Sequence, residues 1–155
     1  MKRLVLSSVI VTALAVIMLY GPGSLVIYKL REPHFKYPIK TSSIVIRNDG
    51  WGGGEFGAKR KNGRVHTGID MVAPVGTAVY AAKSGVAFCG NVPTGYGKYV
   101  MIYHPDGSQT MYGHLASHVV RSTQKVRMGE RIGYVGKTGN AARGAIQSHL
   151  HFEIL

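Results

Sequence analysis

The stretch KYVMIYHPDGSQTMYGHL, residues 98–115, decides the fold. Two runs rich in Val, Ile, Tyr and Met flank His104-Pro105-Asp106-Gly107. Proline sets the backbone for the second place of a tight turn, and glycine supplies the positive φ that ends one. The pattern predicts two antiparallel strands joined by a hairpin. Outward from it the same alternation continues. SSIVIR (42–47), GTAVYAA (76–82), GVAFCG (85–90), RIGYVG (131–136) and HLHFEIL (149–155) read as strands. NDGWGGG (48–54), VPTGYG (92–97) and KTGNAARG (137–144) read as turns between them. No segment after residue 43 sustains a helical period, and only SHVVRSTQKV (117–126) has room for one helical turn. The expected fold is mainly β: a small antiparallel sandwich or partly open barrel.

Composition agrees with a packed domain. Of the 155 residues, 45% are hydrophobic and 17% charged, which excludes a disordered tail. The net charge of +12 implies an anionic partner such as nucleic acid, a membrane surface or an acidic polymer. No helix-turn-helix, zinc-finger cysteine pair or aromatic RNA-binding signature is present, so no nucleic-acid partner is expected. The densest basic run is Lys59, Arg60, Lys61 and Arg64. The single cysteine, Cys89, allows no internal disulfide and reads as a small buried hydrophobe.

At the N-terminus, Met1-Lys2-Arg3 precedes an uncharged run, LVLSSVIVTALAVIMLY, residues 4–20. As a helix it would be about 25 Å long, short for a membrane span and long for the core of a cleaved signal. Ala13-Leu14-Ala15 resembles a cleavage tripeptide, but five apolar residues follow it, which favours an uncleaved anchor. Lys2 and Arg3 would keep the N-terminus in the cytoplasm. Residues 1–20 are therefore expected to be a transmembrane anchor or signal segment and residues 21–42 a linker. LVIYKL (25–30) reads as a short strand or interfacial stretch, and residues 43–155 as the folded domain.

Five side chains stand out in that domain. His66 and Asp70 lie four apart in VHTGID, and His149 and His151 two apart in SHLHFE. His114 sits in MYGHL. Residues i and i+2 of a strand share a face, so His149 and His151 point the same way. Gly68 lets the backbone between His66 and Asp70 bend. Three of the five suffice to hold a zinc ion with its fourth position open, and two remain to move protons. Histidine suits both proton tasks near neutral pH. Any one of these motifs alone is weak, because exposed strand histidines are common. Their joint occurrence points to a zinc hydrolase. His104 reads as a hairpin residue without a chemical role, and His34 and His118 as surface residues.

At these residues the chain resembles the lysostaphin/LytM-type zinc metallopeptidases, which cut peptide bonds in bacterial peptidoglycan. FGAKRKNGRVHTGIDMVAPVGTAVYAAKSGVAFCG (56–90) is similar to the family's first metal motif and the strands after it. GYGKYVMIYHPDGSQTMYGHL (95–115) is similar to its central hairpin, and KVRMGERIGYVGKTGNAARGAIQSHLHFEI (125–154) to its closing segment. The resemblance implies a fold of the duplicated hybrid motif type. It also implies one Zn2+ held by His66, Asp70 and His151, with His114 and His149 as the catalytic histidines. It leaves open which of the two is the base. The implied partner is a peptidoglycan peptide, with the membrane and other envelope proteins as further contacts. The implied location is the bacterial envelope: anchored in the inner membrane with the catalytic domain outside the cytoplasm, or secreted if the segment is cleaved. No separate wall-binding module or long inhibitory pro-segment is visible. The competing expectation is a zinc-stabilised wall-binding or regulatory module of the same fold, without turnover. Intact His114 and His149 count against it, because a structural metal needs no spare histidines.

Overall fold

The computed structural model describes residues 12–18, 20–60 and 63–155. Most of the expected anchor, with Lys61 and Asn62 of the basic run, lies outside the described residues. The chain divides into two compact units, residues 1–34 and 35–155.

In the first unit, Pro22–Arg31 is an α-helix. This corrects the strand reading of LVIYKL. The β-branched Val26 and Ile27 suggest a strand. However, proline in the first turn is preset for a helix, and Lys29 and Arg31 in the last turn complement its dipole. No single helix among the described residues is long and apolar enough to cross a membrane. Thr12–Met18 and Gly23–Arg31 meet that measure only together, as a bent pair. The membrane helix expected at the N-terminus is thus not resolved by the fold.

The second unit begins at Phe35, ahead of the boundary expected at residue 43. Pro38 and Ile39 are buried, and Pro38 O accepts from Tyr80 N at 2.7 Å. This unit is built of ten strands: β1 (Asn48–Asp49), β2 (Gly52–Gly53), β3 (Ile69–Val72), β4 (Ala78–Tyr80), β5 (Gly85–Val92), β6 (Gly97–Tyr103), β7 (Gln109–His118), β8 (Lys125–Val126), β9 (Arg131–Val135) and β10 (His149–Ile154). β1 and β2 form a two-stranded ribbon. The rest form one eight-stranded antiparallel sheet, ordered β3-β10-β7-β6-β5-β8, with β9 pairing both β7 and β4. The mainly β, antiparallel expectation holds. The path runs from β3 to β8 without closing, so this is not a closed barrel. SSIVIR forms no regular strand. It lies along β3 through Arg47 N to Asp70 O and Val72 N to Val45 O. The 117–126 stretch holds no helix, while a short 3₁₀ turn forms at Gly139–Ala142.

Alternating residues of these strands fill one core. Val100, Ile102, Tyr112, Leu115, Ile132 and Leu150 are fully buried. A polar group inside such a core must be bonded. The Tyr112 hydroxyl accepts from Ala82 N and bonds Thr110 Oγ1, and burial pushes its pKa up to about 12. His104, expected as a hairpin residue, is buried between Ser84 O and Thr110 Oγ1.

The hairpin turn is also tied to the core. Gly107, at φ 88°, donates to His104 O. Asp106 accepts from Ser108 and, at 2.5 Å, from the buried Lys83 ammonium. Burial opposes ionisation of Asp106, but the Lys83 and Ser108 bonds hold its carboxyl well below the usual range. Asp106→Asn is expected to cost about 1.5–3 kcal/mol at pH 7, the worth of a charged hydrogen bond. A folded-state pKa below the unfolded one stabilises above the unfolded value and ceases to do so as pH falls through the folded one. Denaturant unfolding should therefore show the gap between wild type and variant closing as pH drops below ~4.

Candidate active site

Four of the five side chains stand on three neighbouring strands, and His66 joins them from outside. β10 lies between β3 and β7, with His151 opposite Asp70 on one side and Gly113 on the other. His149 and His151 share a face, as the two-residue period requires. His66 enters from the segment before β3. The backbone bends at Gly68, as expected, with φ outside the left-handed region. A Cβ there would meet Phe152 O at 2.5 Å, so glycine lets this segment press against β10.

His114 reaches the site through a distortion. Lys98 pairs with Leu115, but Val100 pairs with Tyr112, so β7 carries one extra residue there. That is a β-bulge, a device that re-aims a side chain. His114 sits in it at φ 60°, a region that non-glycine residues seldom occupy, with its N–H on Tyr96 O at 2.6 Å. Such strain is typical of functional positions.

Ligand atoms of His66, Asp70 and His151 lie within 4.8 Å of one another, and all three residues are buried. Asp70 Oδ1 is 3.1 Å from His66 Nε2 and 2.8 Å from His151 Nδ1. The far nitrogen of each imidazole is engaged: His66 Nδ1 donates to Glu55 O, and His151 Nε2 bonds Glu153 Oε1, both at 2.9 Å. Such outer bonds fix the tautomer and turn the free lone pair toward a cation. A tight set of two imidazoles and one carboxylate, oriented this way, fits zinc with an open fourth place.

The other two histidines are oriented by the same means. His114 Nδ1 donates to Thr138 O at 2.9 Å, and His149 Nδ1 to Gln147 O at 2.6 Å. His149 Nε2 faces Asp70 Oδ1 at 3.7 Å, and His114 Nε2 has no hydrogen-bond partner among the described residues. Their rings lie 4.9 Å apart, and that of His114 is 5.8 Å from His151. Burial, with the neighbouring His149 and His151 charges, pushes the His114 pKa down to about 3. Burial likewise lowers that of His149. Both rings are thus held neutral at neutral pH. Burial alone would depress His151 too, but its bonds to Asp70 and Glu153 raise it. Asp70 lies far below the carboxylate range. Its desolvation is outweighed by hydrogen bonds from His151 and His66.

Several supporting residues were not anticipated. Asp70 Oδ2 receives Arg47 Nε at 3.1 Å and an Arg60 guanidinium nitrogen at 3.2 Å. Arg47 also binds Asp49 at 2.6 Å, and Asp49 accepts from Gln147 N, next to the carbonyl that holds His149. Glu153 gathers Thr67, Tyr96 and His151. Glu153 was legible in principle, as the next residue on the face of His149 and His151. Arg47 and Arg60 were not, because nothing in their spacing links them to Asp70. Glu153→Gln keeps the shape but weakens the bond that orients His151. Zinc affinity is expected to fall about 10- to 100-fold, measured by competition with a chromogenic chelator.

The cleft over this centre is about 440 Å³ and is lined by Trp51, Arg60, Arg64, Tyr96, Asn140 and Arg143 beside the five residues. Three residues that could hold a metal, flanked by oriented, neutral imidazoles, suit the chemistry of a metal-dependent hydrolase. The sequence comparison agrees: residues 64–155 match Peptidase family M23, and the chain belongs to that family. It is 44% identical over 90 residues to the DD-carboxypeptidase/endopeptidase Mpg of Neisseria meningitidis, covering 58% of this chain and 20% of that protein. It is 35% identical over 100 residues to the murein hydrolase activator NlpD of Salmonella dublin, covering 64% and 24%. The chain thus spans about a fifth to a quarter of the length of these relatives. Among solved structures, the catalytic domain of the antimicrobial peptidase lysostaphin from Staphylococcus simulans superposes with a TM-score of 0.56 at 27% identity. That likeness covers 78% of this chain and 80% of that one.

Proposed function

We propose that this chain is a zinc-dependent endopeptidase that hydrolyses peptide cross-links of bacterial peptidoglycan. The observation that supports it is the convergence of all five side chains, each imidazole held by an outer acceptor with one nitrogen left for chemistry. His66, Asp70 and His151 would hold one zinc ion. When bound, zinc polarises a carbonyl and lowers the pKa of water to ~7. The protein's own groups do the rest. Of His114 and His149, both fixed through Nδ1, one takes the proton of the attacking water at its free Nε2, and the other holds the oxyanion once its own Nε2 carries a proton. A proton returned from imidazole to the departing nitrogen completes cleavage of the C–N bond into a carboxylate and an amine.

The same reading places the protein in the bacterial envelope. Residues 1–20 serve as an anchor, residues 21–42 as a connector and residues 43–155 as the catalytic domain, with the wall peptide as partner. The likeness to an activator favours a second reading, a non-catalytic wall-binding or regulatory module. The presence of both His114 and His149 weighs against it.

The test is muropeptide release from purified peptidoglycan by the full chain in mild detergent, with zinc, with chelator, and as His114→Asn. New cross-link cleavage that disappears in both controls supports the enzyme. A chain that binds one zinc yet releases nothing from walls of several chemistries supports the regulatory module.

A further inference from the structure

In NDGWGGG, Asp49 reads as turn chemistry, and one of its oxygens serves that purpose. Oδ1 accepts from Trp51 N at 2.9 Å, two residues on, as aspartate does in turns. The same oxygen holds Arg47 at 2.6 Å. Oδ2 is not needed for the turn. It reaches a segment 98 residues away and accepts from Gln147 N at 3.1 Å. Burial opposes ionisation of this carboxyl, but Arg47 and the two backbone N–H groups hold it below the usual range.

Gln147 needs such an anchor. Residues 146–148 lie in no helix or strand, and Gln147 is exposed. Its carbonyl receives His149 Nδ1 at 2.6 Å. The N–H and the carbonyl belong to one residue, so pinning the first restrains the second. The contacts close a circuit. Asp70 Oδ2 holds Arg47 at 3.1 Å, Arg47 holds Asp49, and Asp49 holds Gln147. Gln147 holds His149, whose Nε2 returns to Asp70 Oδ1 at 3.7 Å. A carboxylate suits the middle of this circuit because it accepts at both oxygens. An amide would turn a donor on one of the three partners.

We infer that Asp49 is a positioning residue for cleavage: through Gln147 it holds the His149 ring with Nδ1 protonated and Nε2 facing Asp70. The role in cleavage rests on the peptidase reading above, whereas the hold on the ring does not. Asp49→Asn tests it selectively. Two donors meet at Oδ1, one of them charged, so the amide oxygen stays there and the amino group faces Gln147 N. Donor against donor breaks that bond while Arg47 stays held.

The experiment reads the zinc-loaded full chain in mild detergent. In the wild type, the Gln147 N–H should resist hydrogen exchange although the residue is exposed. Nitrogen NMR of the imidazoles should show His149 as one tautomer, protonated at Nδ1. In Asp49→Asn, checked for melting and zinc content, Gln147 should lose its protection and His149 should divide between tautomers. Cross-link cleavage should fall about 10- to 100-fold in kcat with KM held, the usual effect of losing a bond that orients an imidazole. If Asp49→Asn melts early, Asp49→Glu is read in the same way, since it keeps the charge beside Arg47 but displaces the carboxylate. Fast exchange at Gln147 in the wild type would overturn the inference without any variant. So would a His149 tautomer, or a kcat, that the variant leaves unmoved. If the wild type cleaves nothing, the peptidase reading fails by itself. Exchange and tautomer then decide whether Asp49 holds the ring.

Discussion

In His114→Asn, cross-link cleavage is expected to fall by about 10²- to 10⁴-fold, the usual contribution of a positioned proton-transfer group. His114 is not among the three residues that converge as metal ligands, and it enters from a separate strand. Zinc content should stay at one per chain. Asparagine is the better probe than alanine because residue 114 sits at φ 60°, which Asn tolerates and Ala does not. His114→Ala should add a stability loss of ~1–2 kcal/mol from the backbone alone. Thermal melting would separate the two effects. A variant with near-wild-type turnover would remove His114 from the chemistry.

Asp70→Ala should be more damaging, because Asp70 joins two systems. Oδ1 completes the ligand set, and Oδ2 balances Arg47 and Arg60. Without it, two guanidinium groups face the place a divalent cation would occupy, and Arg47 is 4% exposed. Breaking a buried pair by removing one partner costs about 3–5 kcal/mol. The variant is expected to lose zinc, all cleavage and that amount of stability together. Metal analysis with denaturant unfolding checks this, and a variant that retained stoichiometric zinc would show that Asp70 is no ligand. Asp70→Asn, which keeps the volume, should lose zinc affinity but less stability.

These outcomes depend unequally on what the residues reveal in order and what they reveal in space. His149 and His151 could be placed on one face because strand geometry makes the period two, and Glu153 continues that face. The hairpin at 104–107 was legible because proline and glycine act locally. Pro22–Arg31 was misread because its β-branched centre and its helix-favouring ends disagree, and the ends prevailed. The open sheet was not legible, because whether a path closes depends on the pairing of β4, β7 and β9, far apart in the chain.

The sequence by itself determined the class of fold and singled out the five candidate residues, since periodicity, turn chemistry and ligand type belong to short segments. The tertiary structure decided how those residues are aimed. The bulge at His114, the Arg47 and Arg60 contacts with Asp70, and the pairing of Glu153 with His151 set tautomer, charge and strain. The arginine contacts depend on burial and on partners 23 and 10 residues away, and the bulge depends on how β6 and β7 register. Spacing along a chain carries no record of either.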